Sequence, residues 1–133
     1  MLPRPQVSAF SVEEGEPPSR LHARCVRCGK DLVVVVCGGV RPHIGAVALG
    51  LNWPSPNDEN RRSTTSSLLS VPGHKEENLA REGSLRLSRE LGTSVVVTVG
   101  IHDDGITQEG IARYLHLFDR LIAEIAEAYG QGG

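Results

Sequence analysis

The most constraining feature of the chain is an unbroken apolar run from Leu32 to Cys37, which Gly38 and Gly39 end. A strand with one buried face alternates apolar and polar residues, whereas a strand that is apolar at every position is covered on both faces. In a chain of 133 residues, its own helices would cover one face and a second copy of the sheet the other. We therefore expect this run to be the central strand of a sheet that dimerises.

Length, composition and charge exclude several classes of protein. The length suits one domain, and because only 4% of residues are aromatic its core has to be aliphatic. The net charge of −2 provides no field for a polyanion, so we expect no nucleic-acid partner. No apolar run approaches the roughly 20 residues that span a bilayer, and residues 1–5 lack the apolar segment of a signal peptide. Three cysteines, an odd number, indicate reduced thiols in a cytoplasmic protein.

Further strands are predicted on both sides of the central one. Residues 20–28 alternate in polarity and lead through Gly29-Lys30 into the central strand as a hairpin. Residues 44–51 are predicted as a third strand that pairs with the central one after the Gly38-Gly39 turn. Residues 63–71 are predicted as the fourth strand, and the polar segment 52–62 as a solvated loop. Residues 1–19, rich in proline and glutamate, are predicted to be a flexible, weakly packed arm, with a short edge strand as the alternative.

The second half of the chain alternates helix, strand and helix. An amphipathic stripe begins near His74 and ends at Gly92, which predicts one helix with a glycine stop. Residues 94–101 form an apolar fifth strand. Thr107 is a suitable N-cap for a second helix, whose apolar positions keep a 3.6-residue period from 111 to 129.

These elements define an α+β fold with the order β-β-β-β-α-β-α. It has a mostly antiparallel five-stranded sheet with two helices on one face, and we expect it to dimerise through the other face. The predicted organisation is a flexible arm at 1–19, a single domain at 20–129 and a glycine-rich tail at 130–133.

The pair Cys25 and Cys28 has the spacing of half a zinc ribbon. A structural zinc ion needs four ligands, usually from a second pair, and here only Cys37 follows. Strand alternation also places Cys25 and Cys28 on opposite faces, which argues against a redox pair. We interpret them as ordinary strand thiols and expect no metal.

Three histidines, His43, His74 and His102, each lie beside glycine or proline where one element gives way to another. Lys75 and the free amide groups of a helix start could hold a phosphate or carboxylate next to His74, although an ordinary helix cap explains the same residues. His102 and Asp104 could orient one another, coordinate a metal, or simply form a turn. Neither a nucleophile elbow nor a phosphate-cradling loop is present, so the chain is better suited to hold a ligand than to transform it.

Three short segments occur in an order that resembles a known family. They are PHIGAV at residues 42–47, PGHKE at 72–76, and GIH-x-D-x-I at 100–106. As a set they are similar to the small prenylated-flavin chaperones, the D-type proteins associated with gallate decarboxylases. The resemblance covers residues 20–129.

The resemblance implies a homodimer with a fold similar to proteasome assembly chaperones of the 3/4 type. It implies a non-catalytic protein that holds reduced prenylated FMN and delivers it to a UbiD-type decarboxylase. The residues that match the family's segments, and would bind the flavin, are His43, Gly45, His74, Lys75, His102 and Asp104. The phosphate would lie at residues 72–76, and the ring system near His43 and His102.

Two other functions stay open from the residues alone. The first is a small enzyme or an accessory protein of a decarboxylase, in which His43, His74, His102 and Asp104 bind a metal or do acid–base work. The second is an assembly chaperone that uses the fold only to dock a partner.

Overall fold

A computed structural model of the protein describes residues 8–72 and 76–131. These residues form one sheet of six strands and two helices. The elements in chain order are β1 (Ala9–Glu16), β2 (Ser19–Cys28), β3 (Asp31–Gly39), β4 (Ala46–Ser55), β5 (Asp58–Ser70), α1 (Glu77–Leu91), β6 (Val95–His102) and α2 (Gln108–Gly130).

The strand order across the sheet is β1-β2-β3-β6-β4-β5. Strands β3 and β6 are parallel and all other neighbours are antiparallel, so the sheet is mixed. We expected the third strand to pair with the central one, and this is wrong because β6 lies between β3 and β4. The sequence of β6 explains the insertion, since it is as uniformly apolar as β3 and both belong in the middle of the sheet.

The sheet has one strand more than the five predicted, because residues 9–16 of the expected arm form β1. This strand pairs with β2 along its whole length, from Ala9 opposite Val26 to Glu16 opposite Ser19. Phe10 packs against the core and lies under the guanidinium of Arg27, 5.4 Å from the ring centre. The alternative prediction of an edge strand is therefore confirmed. The strand forms despite the flanking prolines because its alternate apolar side chains pack against the core.

The segment 52–62, predicted to be a solvated loop, is the tip of a long hairpin between β4 and β5. Its side chains are largely exposed, as expected, but its backbone is paired as far as Ser55 and Asp58. Polar side chains also pair across the hairpin, since Arg62 Nε donates to Asn52 Oδ1 at 2.6 Å. Because these strands are solvated on both sides, their composition resembles that of a loop.

Both helices pack on the same face of the sheet, as predicted. Helix α1 ends at Gly92, which has a φ of 68°, and the hydroxyl of Thr107 accepts a hydrogen bond from the amide of Gly110 at the start of α2. The core between the layers is mainly aliphatic and its larger fully buried members are Leu21, Leu32, Val34, Val36, Leu87, Val95, Val97, Val99, Leu121, Ile122 and Ile125.

The opposite face of the sheet is apolar at its centre and carries no helix from the described residues. Val33, Val35 and Val96 are half-buried at its centre. Towards β5 the apolar side chains are more open, and Leu49 is 38% exposed and Leu69 75%. Among the described helices, none is both long and apolar enough to cross a membrane.

The fold concentrates element ends at one edge of the sheet. Strands β3 and β6 run parallel and end side by side, with Gly39 opposite His102. Helix α1 starts at this edge, because Glu76 contacts the amide of Ile101, and only five residues separate the end of β6 from the start of α2. In open sheets the carboxyl ends of parallel strands, with helix N-termini beside them, are the usual place for a ligand.

Candidate functional site

The structure brings together four of the six residues predicted to bind a ligand: His43, Gly45, His102 and Asp104. The rings of His43 and His102 meet edge to face, with 6.1 Å between their centres and an angle of 83° between their planes. His74 and Lys75, the other two predicted residues, lie outside the described residues. The distances below therefore concern the part of the site built from the β3–β4 loop, Glu76 and the end of β6.

Glu76 joins the parts of this site, although no sequence motif pointed to it as a ligand-binding residue. Its Oε1 lies 3.1 Å from Nε2 of His43 and also accepts a hydrogen bond from the backbone amide of Ile101 at 3.2 Å. Its side chain is only 11% exposed. A Cβ added to Gly45 would overlap the Glu76 carboxylate, so a larger residue at position 45 would displace this carboxylate.

The available signal for Glu76 was weak. It ends the PGHKE segment at a strand-to-helix junction, but Glu77 follows it and either residue suits the first turn of a helix. Only the path of the β3–β4 loop, which brings His43 against the start of α1, distinguishes the two glutamates.

His43 is held on both ring nitrogens. Its Nδ1 lies 3.1 Å from the carbonyl oxygen of Arg41, while Nε2 faces Glu76. The side chain is 21% exposed, and its own carbonyl sits so close to Gly100 that a Cβ there would overlap it. Because both nitrogens are engaged, His43 would have to give up one of these contacts to coordinate a metal.

His102 and Asp104 form the open side of the site. Nε2 of His102 lies 2.9 Å from Oδ1 of Asp104, so the two side chains do orient one another. Arg41 approaches the other carboxylate oxygen of Asp104 at 3.9 Å. The side chains of His102 and Asp104 are 37% and 75% exposed, which leaves them accessible to a ligand.

A cleft of about 580 Å³ lies beside Asp104, between the β1–β2 turn and the start of α2. Asp103 contributes to its lining and accepts a hydrogen bond of 2.5 Å from the hydroxyl of Tyr114. Burial, together with this bond and the negative charge of Asp103, raises the pKa of Tyr114 to about 12. The hydroxyl therefore stays protonated and keeps donating to Asp103.

The cysteines do not form a cluster. Cys25 is buried in the core, where burial raises the pKa of its thiol to about 12, whereas Cys28 is exposed. Within 8–72 and 76–131, no group of three or more His, Cys, Asp or Glu side chains is placed to hold a metal ion.

The layered α+β fold also occurs in a chain of a solved chaperone complex. A solved chaperone complex for yeast 20S proteasome assembly contains a chain that matches this one with a TM-score of 0.59. The match covers 90% of this chain and 94% of that chain at 12% sequence identity, so it concerns the fold alone.

Sequence comparison identifies the family. Protein LpdD of Lactiplantibacillus plantarum is 31% identical over 102 residues, which are 73% of this chain and 68% of that protein. The model of the prenylated flavin chaperone LpdD-like domain matches residues 15–130. The chain belongs to this family, as its three short segments predicted, and the matched region includes the turn between β1 and β2.

Proposed function

We propose that this chain binds reduced prenylated FMN without transforming it and delivers it to a UbiD-type decarboxylase. Membership of a prenylated flavin chaperone family supports the flavin role. The observation that carries the proposal is the convergence of His43, His102 and Asp104 at the carboxyl ends of the two parallel strands.

The chemistry of the site suits a flavin mononucleotide. Such a ligand combines a largely apolar ring system, a ring edge with hydrogen-bond donors and acceptors, and a phosphate. The accessible imidazole of His102 and carboxylate of Asp104 match the polar edge. The adjoining cleft of about 580 Å³ falls within the roughly 300–1,000 Å³ of typical ligand pockets.

The matched residues contribute in two ways in this proposal. His102 and Asp104 contact the ring system, and His74 and Lys75 hold the phosphate at the start of α1, where free backbone amides favour an anion. His43 and Gly45 act through shape, because His43 is fixed on both nitrogens and Gly45 admits the Glu76 carboxylate.

A carrier fits this arrangement better than an enzyme. General acid–base catalysis needs a side chain free to exchange its proton with a substrate. The better buried histidine, His43, instead has both nitrogens engaged by Arg41 and Glu76. A metal-dependent reaction would likewise require it to break one of these contacts.

We further propose that the protein is a homodimer joined through the open sheet face. That face presents Val33, Val35 and Val96 at its centre and exposed leucines towards β5. The simplest partner for this face is a second copy of the chain, because a two-fold axis brings the same apolar patch of both copies into contact. The decarboxylase would then approach at the site edge of each copy.

A binding titration under anaerobic conditions tests the flavin proposal. The purified protein is titrated with reduced prenylated FMN and with reduced FMN, and its metal content is assayed in parallel. We expect tighter binding of the prenylated flavin, no turnover and no stoichiometric metal. The absence of any flavin binding, together with stoichiometric metal, would overturn the proposal and favour the enzyme.

Substitutions at the assigned positions test where the flavin binds. His102→Ala, and the pair His74→Ala with Lys75→Ala, should each weaken flavin binding at least tenfold. His116→Ala is the matched control, since His116 is exposed on α2 and away from the site residues. If His116→Ala weakens binding as much as the others, the assigned positions are wrong. Delivery is checked by adding the loaded protein to an inactive apo-decarboxylase and measuring recovered activity.

A further inference from the structure

The cleft beside Asp104 is partly lined by apolar side chains. They differ from the polar side chains of His102 and Asp104, which are called the polar half of the site below. The walls of the cleft include Pro17 and Pro18 from the β1–β2 turn, Val40 from the loop after β3, and Ile106 before α2. Val40 is 67% exposed and Ile106 41%, although both are branched apolar side chains. Exposed apolar side chains that converge on one cleft are characteristic of a surface that a ligand covers.

The charge of the cleft disfavours an anion, in spite of the helix start beside it. Asp103 and Asp104 both contribute to the lining. The positive charge in the described lining comes from Arg20, and this guanidinium is already paired with Glu13. The N-terminus of α2 is in turn capped by the Thr107 hydroxyl. A phosphate would therefore meet two carboxylates and a neutralised guanidinium, whereas an uncharged group meets no like-charge repulsion.

The hydroxyl of one buried residue, Tyr114, lies between the two walls. The hydroxyl of Tyr114 donates to Asp103 on one wall and lies 3.3 Å from the carbonyl oxygen of Pro18 on the other. Tyr114 is 3% exposed, so this contact is shielded from water. A cleft whose walls are fixed before binding loses little conformational entropy when a ligand enters.

The cleft is continuous with the polar half of the site through Asp104. This residue lines the cleft with its neighbours and accepts the hydrogen bond of His102. Val40 donates its backbone amide to the carbonyl of His102 at 2.8 Å, so the same two segments form both halves. A ligand held at His102 therefore has its next atoms at the mouth of the cleft.

From this geometry we propose that the cleft is an apolar subsite that selects the prenylated flavin over the ordinary one. It takes the prenyl-derived hydrocarbon group and the adjoining apolar edge of the ring system, between Val40, Ile106 and the two prolines. The proposal rests on the proposed function and adds to it the part of the chain that distinguishes the two flavins. The β1–β2 turn thus contributes to ligand choice.

The test compares dissociation constants for reduced prenylated FMN and reduced FMN in Val40→Ser and Ile106→Ser. Each variant should bind the prenylated flavin about threefold to tenfold more weakly, the loss expected for one partly covered apolar side chain, and bind FMN within twofold of wild type. Ile111→Ser is the matched control, because Ile111 is 48% exposed on α2 and does not line the cleft. Thermal unfolding of each variant confirms that it is folded.

Three results would overturn the subsite. Unchanged affinity for the prenylated flavin in both variants would show that the cleft does not contact it. Equal losses of affinity for the two flavins would show that the cleft does not recognise the prenyl-derived group. A wild-type protein that binds both flavins equally would show that no such selection exists, whereas a wild type that binds neither would refute the flavin proposal itself.

Discussion

Nε2 of His43 lies 3.1 Å from Oε1 of Glu76, although the two residues are 33 positions apart in the chain. The same oxygen accepts the backbone amide of Ile101 at 3.2 Å. One carboxylate oxygen therefore connects the loop after β3, the start of α1 and the end of β6. The shape of the site depends in part on this oxygen, because it joins three segments that are distant in sequence.

Replacing Glu76 should loosen the site and destabilise the protein. Glu76→Ala leaves the donor groups of His43 and Ile101 poorly satisfied, and we expect the free energy of unfolding to fall by about 2–4 kcal/mol. Glu76→Gln keeps an acceptor oxygen but not the charge and should lose about 1 kcal/mol. Urea unfolding, followed by circular dichroism, measures both values.

Glu77→Ala is the control for Glu76→Ala. Glu77 carries the same charge one position later and is half-buried in the first turn of α1. Its loss should cost no more than the roughly 0.3–1 kcal/mol of a favourable helix-dipole interaction. Equal losses for the two alanine variants would contradict a special role for Glu76.

Gly100→Ala should displace the His43 loop. A Cβ at position 100 would overlap the carbonyl oxygen of His43, which is backbone and cannot swing aside as a side chain would. We expect a loss of about 2–4 kcal/mol in stability and weaker flavin binding. Gly130→Ala, where an added Cβ meets nothing within 4 Å, should change neither quantity for the worse. Wild-type stability and binding in Gly100→Ala would show that the loop is not closely packed.

The sequence was sufficient to predict the type and order of most elements, because these depend on local periodicity. The stripe of α2, its Thr107 cap and the apolar run of β3 are each visible within a few neighbouring residues. What periodicity does not contain is strand order. Two runs with the same apolar pattern, β3 and β6, pair with each other in parallel, and only the assembled sheet reveals this.

The candidate site, too, could be predicted only in part from local sequence. His43, His102 and Asp104 were identified because each is a titratable group beside a glycine or proline at an element end. Glu76 and the cleft walls were not, since a glutamate in a first helical turn and a pair of prolines in a turn have ordinary local explanations. Their role depends on contacts between segments distant in sequence, as when Tyr114 bridges Asp103 and Pro18.

Ionisation of the Tyr114 hydroxyl should lower the free energy of unfolding at alkaline pH. Its pKa rises from the ordinary 10 to about 12 on folding, so the folded state favours the protonated hydroxyl. That contribution is fully present below pH 10 and is lost as the pH rises towards 12, and it amounts to about 2–3 kcal/mol. Tyr114→Phe should show a smaller loss between pH 10 and 12 in urea unfolding, because it has no such group.

Cys25 loses its stabilising effect over an overlapping range, since its pKa rises from 9 to about 12, but it does so in both proteins. The difference between wild type and Tyr114→Phe therefore isolates the hydroxyl. Tyr129→Phe is the control, because that hydroxyl donates to the carbonyl oxygen of Lys30 at 2.8 Å in an exposed position. Identical alkaline profiles for wild type and Tyr114→Phe would contradict the raised pKa.

A single charge on the open sheet face should separate the proposed dimer. Leu49 lies opposite Val96, next to the centre of the face, and Leu69 lies opposite Val47 towards its edge. Leu49→Lys would place an unpaired ammonium in the middle of the interface, which is costly because nothing there could neutralise it. We expect a monomer by light scattering at concentrations where the wild type is a dimer, and a weaker effect from Leu69→Lys.

Leu115→Lys provides the control for this charge. Leu115 is 51% exposed on α2, on the other side of the sheet, so a lysine there adds the same charge outside the proposed interface. It should leave the dimer intact. A dimer that survives Leu49→Lys, or that dissociates with Leu115→Lys instead, would place the contact on the helices. The apolar strand face would then be left for the decarboxylase or another partner to cover.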